Sequence, residues 1–389
     1  MLRFSTSGRL ENTKNPAQGF FHHRVKVDSM PHHDIPRRAL IVILPTRNFL
    51  LGMLASLGLF LLMGEGLCRW VTNTGFLYDR MNPVVDITSR PETMDRLRWG
   101  SDQPQPLYLL GDSVLGPTAM TQKRLPDSRS NSLSHHLDLL ARSSGACAVN
   151  LGCDGLLLTD IEALTEYLGQ GGPKRVLLLL NFRMFAPEFE SGKTSVSRPY
   201  LNLHEVPVDS AARIESFLLR HSALFRVTRL LRTLWYQPSQ KDFFQRILEN
   251  TLHLESDPDI QQAALVMKVT PYYPSKTWDP KGAPFQSLER VISNLRTHHI
   301  PVMVVLTPQN PSFFGKRFDL ASFDANRRLL QTFFQKGQAH GFRYLDWATH
   351  YPPTDFLDHC HLTAEGNARY AKDLWNVLQT VSPPEPTHE

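Results

Sequence analysis

The chain has 389 residues, 41% of them apolar, with 42 basic and 37 acidic side chains and a net charge of +5. That is enough chain for a substantial buried core and too apolar for a disordered polymer, while four cysteines are too few for a disulfide scaffold. The charge excess sits in residues 1–48, which hold eight Lys/Arg against three acids; the remainder is balanced, which argues against a nucleic-acid partner for the folded part.

After this basic tail, residues 49–67 are almost wholly apolar, broken only by Glu65 and small residues, and Arg47 and Arg69 bracket them. Such a stretch is about long enough to cross a hydrocarbon core. A buried core helix is the alternative, but it would show a polar stripe, and none precedes Glu65. The positive-inside rule keeps the tail cytoplasmic and exports the rest. The tail is long for a secretory signal, no small-x-small site follows, and Leu67-Cys68 lacks the small residue of a lipoprotein signal. The expected arrangement is an uncleaved signal anchor in the cytoplasmic (inner) membrane of a bacterium, N-terminus inside and the main domain periplasmic.

Residues 71–105, rich in Pro, Asp and Arg, read as a connector. Strand-type runs follow at Leu107–Leu110, Ala146–Asn150, Val176–Leu180, Val302–Leu306 and Phe342–Leu345. Helical stretches separate them near Ser132–Ser143, Thr159–Leu168, Gln286–His298, Ala321–His340 and Thr363–Leu378. Alternation of this kind predicts an α/β domain over 106–380, with a parallel sheet covered on both faces, and residues 381–389 as a short tail.

The first strand run stops at Gly111-Asp112-Ser113, and the last helix is preceded by Asp358-His359-Cys360-His361. A serine hydroxyl is a weak nucleophile at neutral pH and needs an imidazole to take its proton and a carboxylate to fix that imidazole's tautomer. Ser113, His361 and Asp358 supply these three groups, and the spacing of three lets one turn present Asp358 and His361 together. His359 competes with His361 for the role. The bland alternative makes Asp112, Ser113 and Asp358 backbone caps.

These blocks and their order resemble the SGNH (GDSL) hydrolase superfamily, over roughly Leu107 to Leu378. The resemblance implies a flavodoxin-like three-layer sandwich around a five-stranded parallel sheet, and a Ser-His-Asp triad. It also implies an oxyanion hole built from the serine, a glycine after the second strand and an asparagine after the third. In Val149-Asn150-Leu151-Gly152-Cys153-Asp154-Gly155 the glycine is Gly155, with Gly152 second; Arg175 to Asn181 delivers Asn181. The family's Gly-x-Asn-Asp is absent, since Leu179 and Phe182 stand at its glycine and aspartate positions. Asn310, after the fourth strand, is a candidate substrate contact.

Residues 182–284 match no block of the family and form an insertion that leaves from the rim of the sheet, suited to a lid or substrate wall. Within it Ala211–Tyr236 reads as a basic amphipathic helix that either packs on the core or rests on anionic lipid or an acidic glycan. Cys153 and Cys360 lie near the expected site, as a bridge or as free thiols. No metal spacing and no cofactor motif stands out.

The layout is similar to that of anchored proteins serving teichoic acid D-alanylation and polysaccharide O-acetylation. Alginate-type acetyltransferases, however, carry their Asp-x-His before the serine, whereas here it follows. The expected function is a membrane-anchored serine esterase or O-acyltransferase acting on cell-envelope glycan esters through an acyl-serine. The alternatives are a lipid or small-ester hydrolase, or a non-catalytic scaffold that partners a membrane acyltransferase.

Overall fold

Five short strands pair in parallel in the order β2-β1-β3-β4-β5: β1 Pro106–Leu110, β2 Cys147–Asn150, β3 Arg175–Leu180, β4 Val302–Leu306 and β5 Phe342–Asp346. This computed structural model describes residues 47–74, 90–117, 119–120, 125, 127–153, 155–169, 175–186, 214, 217–218, 221–235, 266, 270, 273, 277–335 and 342–380. The chain divides into two compact units, Met1–Leu54 and Ala55–Glu389, and the sheet belongs to the second.

The strands β1 to β4 read as apolar runs because both faces are covered, whereas the edge strand β5 carries Arg343 and is only partly buried. Alternate side chains part to opposite sides. Tyr108, Leu110, Val176, Leu178, Val302 and Val304 enter one core cluster, and Leu107, Leu109, Leu177, Leu179, Met303 and Val305 enter the other. The helices are α1 Arg47–Asn73, α2 Arg90–Ser101, α3 Leu133–Ser143, α4 Leu158–Leu168, α5 Ala223–Trp235, α6 Ala283–Thr297, α7 Leu320–Gln335 and α8 Ala364–Thr380. Apolar residues of α2, α4, α6 and α7 fill the first cluster, and those of α3 and α8 fill the second. The result is the three-layer, flavodoxin-like arrangement, with element bounds within a few residues of those predicted.

Residues 90–101 correct the expected connector. They form α2, although the sequence Arg-Pro-Glu-Thr-Met-Asp-Arg-Leu-Arg-Trp-Gly-Ser has little apolar periodicity. Its inner face is partly polar: Arg96 is fully buried and donates from Nη1 to the Asn150 carbonyl at 2.9 Å, beside buried Leu97 and Trp99. A side chain at position 100 would lie 2.8 Å from Val149 Cγ2, so Gly100 lets the helix close onto the sheet.

The helix α1 extends beyond the apolar stretch 49–67 and is long and apolar enough to cross a membrane. Its large apolar residues are exposed, Phe60 to 72% and Leu62 to 71%. Near its end, Glu65 caps α5. The carboxylate accepts from the Ala223 and Leu224 backbone N–H groups at 2.9 and 3.0 Å and from the Ser222 hydroxyl at 2.8 Å. Ala223 and Val227 bury against Cys68, and Arg226 pairs with Asp95 of α2 at 2.9 Å. Those residues of the predicted amphipathic segment therefore pack within the chain.

Both ends of the insertion are rooted in the first core cluster. It begins in the 3₁₀ turn Phe182–Phe185, and Trp278 near its other end stacks on Phe185 with ring centroids 4.7 Å apart. The Trp278 backbone N–H also donates to Asn326 Oδ1 of α7 at 2.8 Å. Residues 187–213 and 236–265, and with them most of the expected lid, lie outside the described residues, as do most of the basic tail and residues 381–389. Trp278→Ala is expected to lower stability by about 3–5 kcal/mol, the usual effect of emptying a buried aromatic site; denaturant titration of the full chain in detergent measures it.

Candidate active site

The strand order places a topological switch between β1 and β3, where the chain departs in opposite directions and leaves a crevice beyond the strand C-termini. Ser113 follows β1 here and Asn181 follows β3. The turn after β1 depends on Gly111, since a Cβ there would lie 3.0 Å from Leu115 Cδ1 and 3.1 Å from Leu179 Cβ. Asp112 and Ser113 are both buried. Asp112 Oδ1 accepts the Val114 N–H at 3.3 Å and the Asp112 carbonyl accepts the Leu115 N–H at 3.1 Å, so the turn is closed by its own groups.

From the far end of the chain, the loop before α8 brings His361 to the serine. His361 Nε2 lies 2.8 Å from Ser113 Oγ, and its Nδ1 lies 2.9 Å from Asp358 Oδ2. Asp358 Oδ1 also accepts the backbone N–H groups of Cys360 at 3.0 Å and His361 at 2.9 Å, so one carboxylate shapes the loop and orients the ring. The loop is fixed from outside as well. Phe356 bridges Leu362, and Asn310 donates from its backbone to the His359 carbonyl at 2.8 Å and from Nδ2 to the Asp358 carbonyl at 3.3 Å. Asn310 is thus a brace for the Asp358–His361 turn, while its Oδ1 has no hydrogen-bond partner among the described residues.

His359, the competitor, turns away from the serine. Its ring is buried among Tyr273, Phe313 and Phe314. Its Nε2 lies 3.4 Å from Cys360 Sγ. No disulfide joins Cys153 and Cys360, and both are buried.

The three expected oxyanion groups are set differently. Asn181 is fully buried; its Oδ1 accepts the Arg183 N–H at 3.3 Å, and its Nδ2 has no hydrogen-bond partner among the described residues. A buried amide donor without a partner is costly unless something arrives to accept from it. Gly155 sits in a left-handed turn, φ 65°, a conformation that favours glycine. It lies two residues beyond Cys153, whose N–H donates to the Gly111 carbonyl at 3.2 Å. Gly152 serves a different need, because a Cβ there would lie 2.7 Å from Leu115 Cδ1.

Arg183 is the residue that sequence reasoning missed. Its Nε and Nη2 lie 2.7 and 2.6 Å from Asp112 Oδ2, and Nη2 also donates to Ser113 Oγ at 2.7 Å. The one available signal was a charged residue three positions beyond a buried strand that ends at the switch point. The Asp358, Cys360 and His361 donor atoms also lie within 4.8 Å of one another, a grouping able to hold a metal ion that the sequence reading did not anticipate.

The electrostatics follow from this geometry. Burial opposes the Asp358 charge, but the His361 imidazole, its hydrogen bond to the carboxylate and the neighbouring His359 outweigh burial and hold the group well below the usual carboxylate range. Burial likewise opposes a charged His361, yet the Cys360 sulfur 3.7 Å from Nδ1 and the Asp358 carboxylate raise it well above the ordinary imidazole value. The arrangement is a serine, a base and an orienting acid, with an unpaired amide donor on the neighbouring strand end. It is chemically suited to acyl transfer.

No protein-family model and no curated protein matches the chain. Among solved structures it is similar to Est24, a carbohydrate acetylesterase from Sinorhizobium meliloti, with TM-score 0.36 and 10% identity over 72% of this chain and 100% of that one. It is also similar to a member of the lipolytic protein G-D-S-L family from Veillonella parvula DSM 2008, with TM-score 0.34 and 12% identity over 71% and 99%. At these values neither likeness carries a statement about activity.

A general base works only when neutral, so a raised His361 pKa shifts the active form to higher pH. For ester turnover, kcat/KM is expected to fall with decreasing pH through an apparent pKa above about 6.5. Asp358→Asn is expected to move that limb downward and to lower kcat by about 10³–10⁴. A pH–rate series on both proteins with 4-nitrophenyl acetate reads the two effects together.

Proposed function

We propose that this chain is a membrane-anchored, outward-facing serine esterase or O-acyltransferase that works through an acyl-serine on acyl esters of a cell-envelope glycan. The observation that carries the reading is the unbroken run of contacts from Ser113 Oγ through His361 to Asp358, 2.8 and then 2.9 Å, at the switch point of the sheet. Gly-Asp-Ser as a mere turn would not require an imidazole from a residue 248 positions away.

In the proposed reaction His361 Nε2 takes the Ser113 proton as Oγ bonds to the ester carbonyl carbon. Negative charge gathers on the carbonyl oxygen, toward which the Asn181 Nδ2 donor and backbone N–H groups at Ser113 and Gly155 would point. The tetrahedral intermediate expels the alcohol, which leaves with the proton from His361. An incoming water or sugar hydroxyl then gives its proton to His361, attacks the acyl-serine carbonyl and releases Ser113. Hydrolysis and transfer use the same groups and differ only in the acceptor.

Anchoring is supported by α1, whose exposed apolar side chains would be a liability in water, and the outward orientation by the basic tail that precedes it. The envelope-glycan substrate follows from the anchored layout and the expected export. It implies a lipid-linked or polymeric ester within reach of the membrane, and a membrane acyltransferase as a fitting partner.

With the full chain in detergent micelles, a fluorophosphonate probe is expected to label wild type but not Ser113→Ala, and His361→Ala only at background rate. Undiminished labelling of Ser113→Ala would sink the reading. Asn181→Ala is expected to lower kcat on 4-nitrophenyl acetate by about 10²–10³ with KM little changed, as for a lost oxyanion donor. Adding an acetylated glycan and a sugar acceptor, and following the acetyl group by mass spectrometry, separates transfer from hydrolysis.

A further inference from the structure

We infer that Arg183 is a catalytic residue of this site, acting directly on the nucleophilic oxygen; the inference rests on the serine-hydrolase reading above. Arginine carries donors only. With Arg183 Nη2 at 2.7 Å from Ser113 Oγ, the serine oxygen must accept that bond, and its own proton must go elsewhere. His361 Nε2, at 2.8 Å, is the acceptor that receives it. The bond polarity then runs one way, from Arg183 to Ser113 to His361. The Nδ1 proton of His361 is left for Asp358, and this is the tautomer that a general base requires.

The same contact favours the transition states over the resting enzyme. A hydrogen bond from a cation strengthens as its acceptor gains negative charge. Oγ gains charge twice: when its proton passes to His361 Nε2 as the Oγ–carbon bond forms, and when that bond breaks in deacylation and the electron pair returns to Oγ. In the second event His361 gives Oγ the proton it took from the water or hydroxyl. Arg183 therefore stabilises charge on the leaving Oγ, a different atom from the carbonyl oxygen that an oxyanion hole serves, and such differential stabilisation is what accelerates turnover.

Asp112 makes the arrangement tolerable. A bare cation this near would oppose the imidazolium that forms at His361. Asp112, whose side chain is fully buried, pairs with the guanidinium at 2.6 Å, so the pair is neutral at a distance while one N–H still points at Oγ. The Arg183 side chain as a whole is 13% exposed. Its position is set by Asn181, which caps the turn carrying Arg183, and by Phe182 and Phe185 on either side of it, both buried in the core.

The test uses the full chain in micelles, with fluorophosphonate labelling and 4-nitrophenyl acetate turnover. Because Arg183→Ala leaves Asp112 buried without its partner, the double variant Asp112→Asn/Arg183→Gln removes both charges together and keeps the fold measurable by circular dichroism. The expected result is a fall of about 10²–10³ in labelling rate and kcat for the double variant. For Arg183→Ala, at least tenfold recovery is expected with millimolar guanidinium but not with equal sodium or urea. A folded double variant within threefold of wild type overturns the inference. So does a folded Arg183→Ala that is slow and not rescued, since Arg183 would then only brace Asp112. Failure of wild type to label at all would instead strike the parent reading of Ser113.

Discussion

Two-sided burial of the parallel sheet is the constraint on which the rest depends. The interiors of β1 to β4 are apolar because helices cover both faces, so that part of the sheet can present polar side chains to a ligand only where strands end. In the order β2-β1-β3-β4-β5, the strands whose successors leave in opposite directions are β1 and β3. Asp112 and Ser113 lie just beyond one, Asn181 and Arg183 just beyond the other, and the backbone register that pairs Leu110 with Leu178 sets them side by side. Chemistry at this edge follows from packing across the whole sheet. Removing apolar volume from either core cluster would disturb it without touching a reactive group.

The second constraint is that five polar side chains, three of them buried and two partly buried, share a small number of partners. Asp112 accepts from Arg183, Arg183 donates to Ser113, Ser113 contacts His361, and His361 contacts Asp358. Inside a low-dielectric site, partly satisfied networks are costly and complete ones are rigid. One donor lies outside the chain of contacts, Asn181 Nδ2, on the strand end beside the nucleophile. An acceptor supplied by a substrate would complete it.

Much of this was legible in the sequence, and the parts that were not share a cause. Runs such as Arg-Val-Leu-Leu-Leu-Leu declare a buried strand because covering both faces leaves no polar option, and a turn residue marks where the run stops. Asp358 and His361 were legible because a spacing of three within one turn is a local matter. The helix Arg90–Ser101 was not, since its inward face is built around Arg96 bonded to the Asn150 carbonyl, so that an apolar stripe is replaced by a polar contact 54 residues away. Arg183 was hidden for the same reason. Its partners, Asp112 and Ser113, are 71 and 70 positions distant, and nothing local distinguishes it from a solvated arginine.

The position of the insertion then acquires a physical meaning. Asn181 and Arg183 belong to its first turn, and Phe185 of that turn stacks on Trp278 at its return. Tyr273, five residues earlier, donates its hydroxyl to Gln309 Oε1 at 2.7 Å and sets its ring edge-on to His359, with centroids 5.4 Å apart. The outgoing limb thus holds the groups that face the nucleophile, and the returning limb packs behind the loop that carries the base. The limbs are joined through an aromatic contact in the core, so a displacement of one must be taken up by the other or by the stack between them. The helix α5, within the same insertion, is capped by Glu65 of α1. The insertion that roots Arg183 is therefore also fastened to the apolar helix through the first turn of α5.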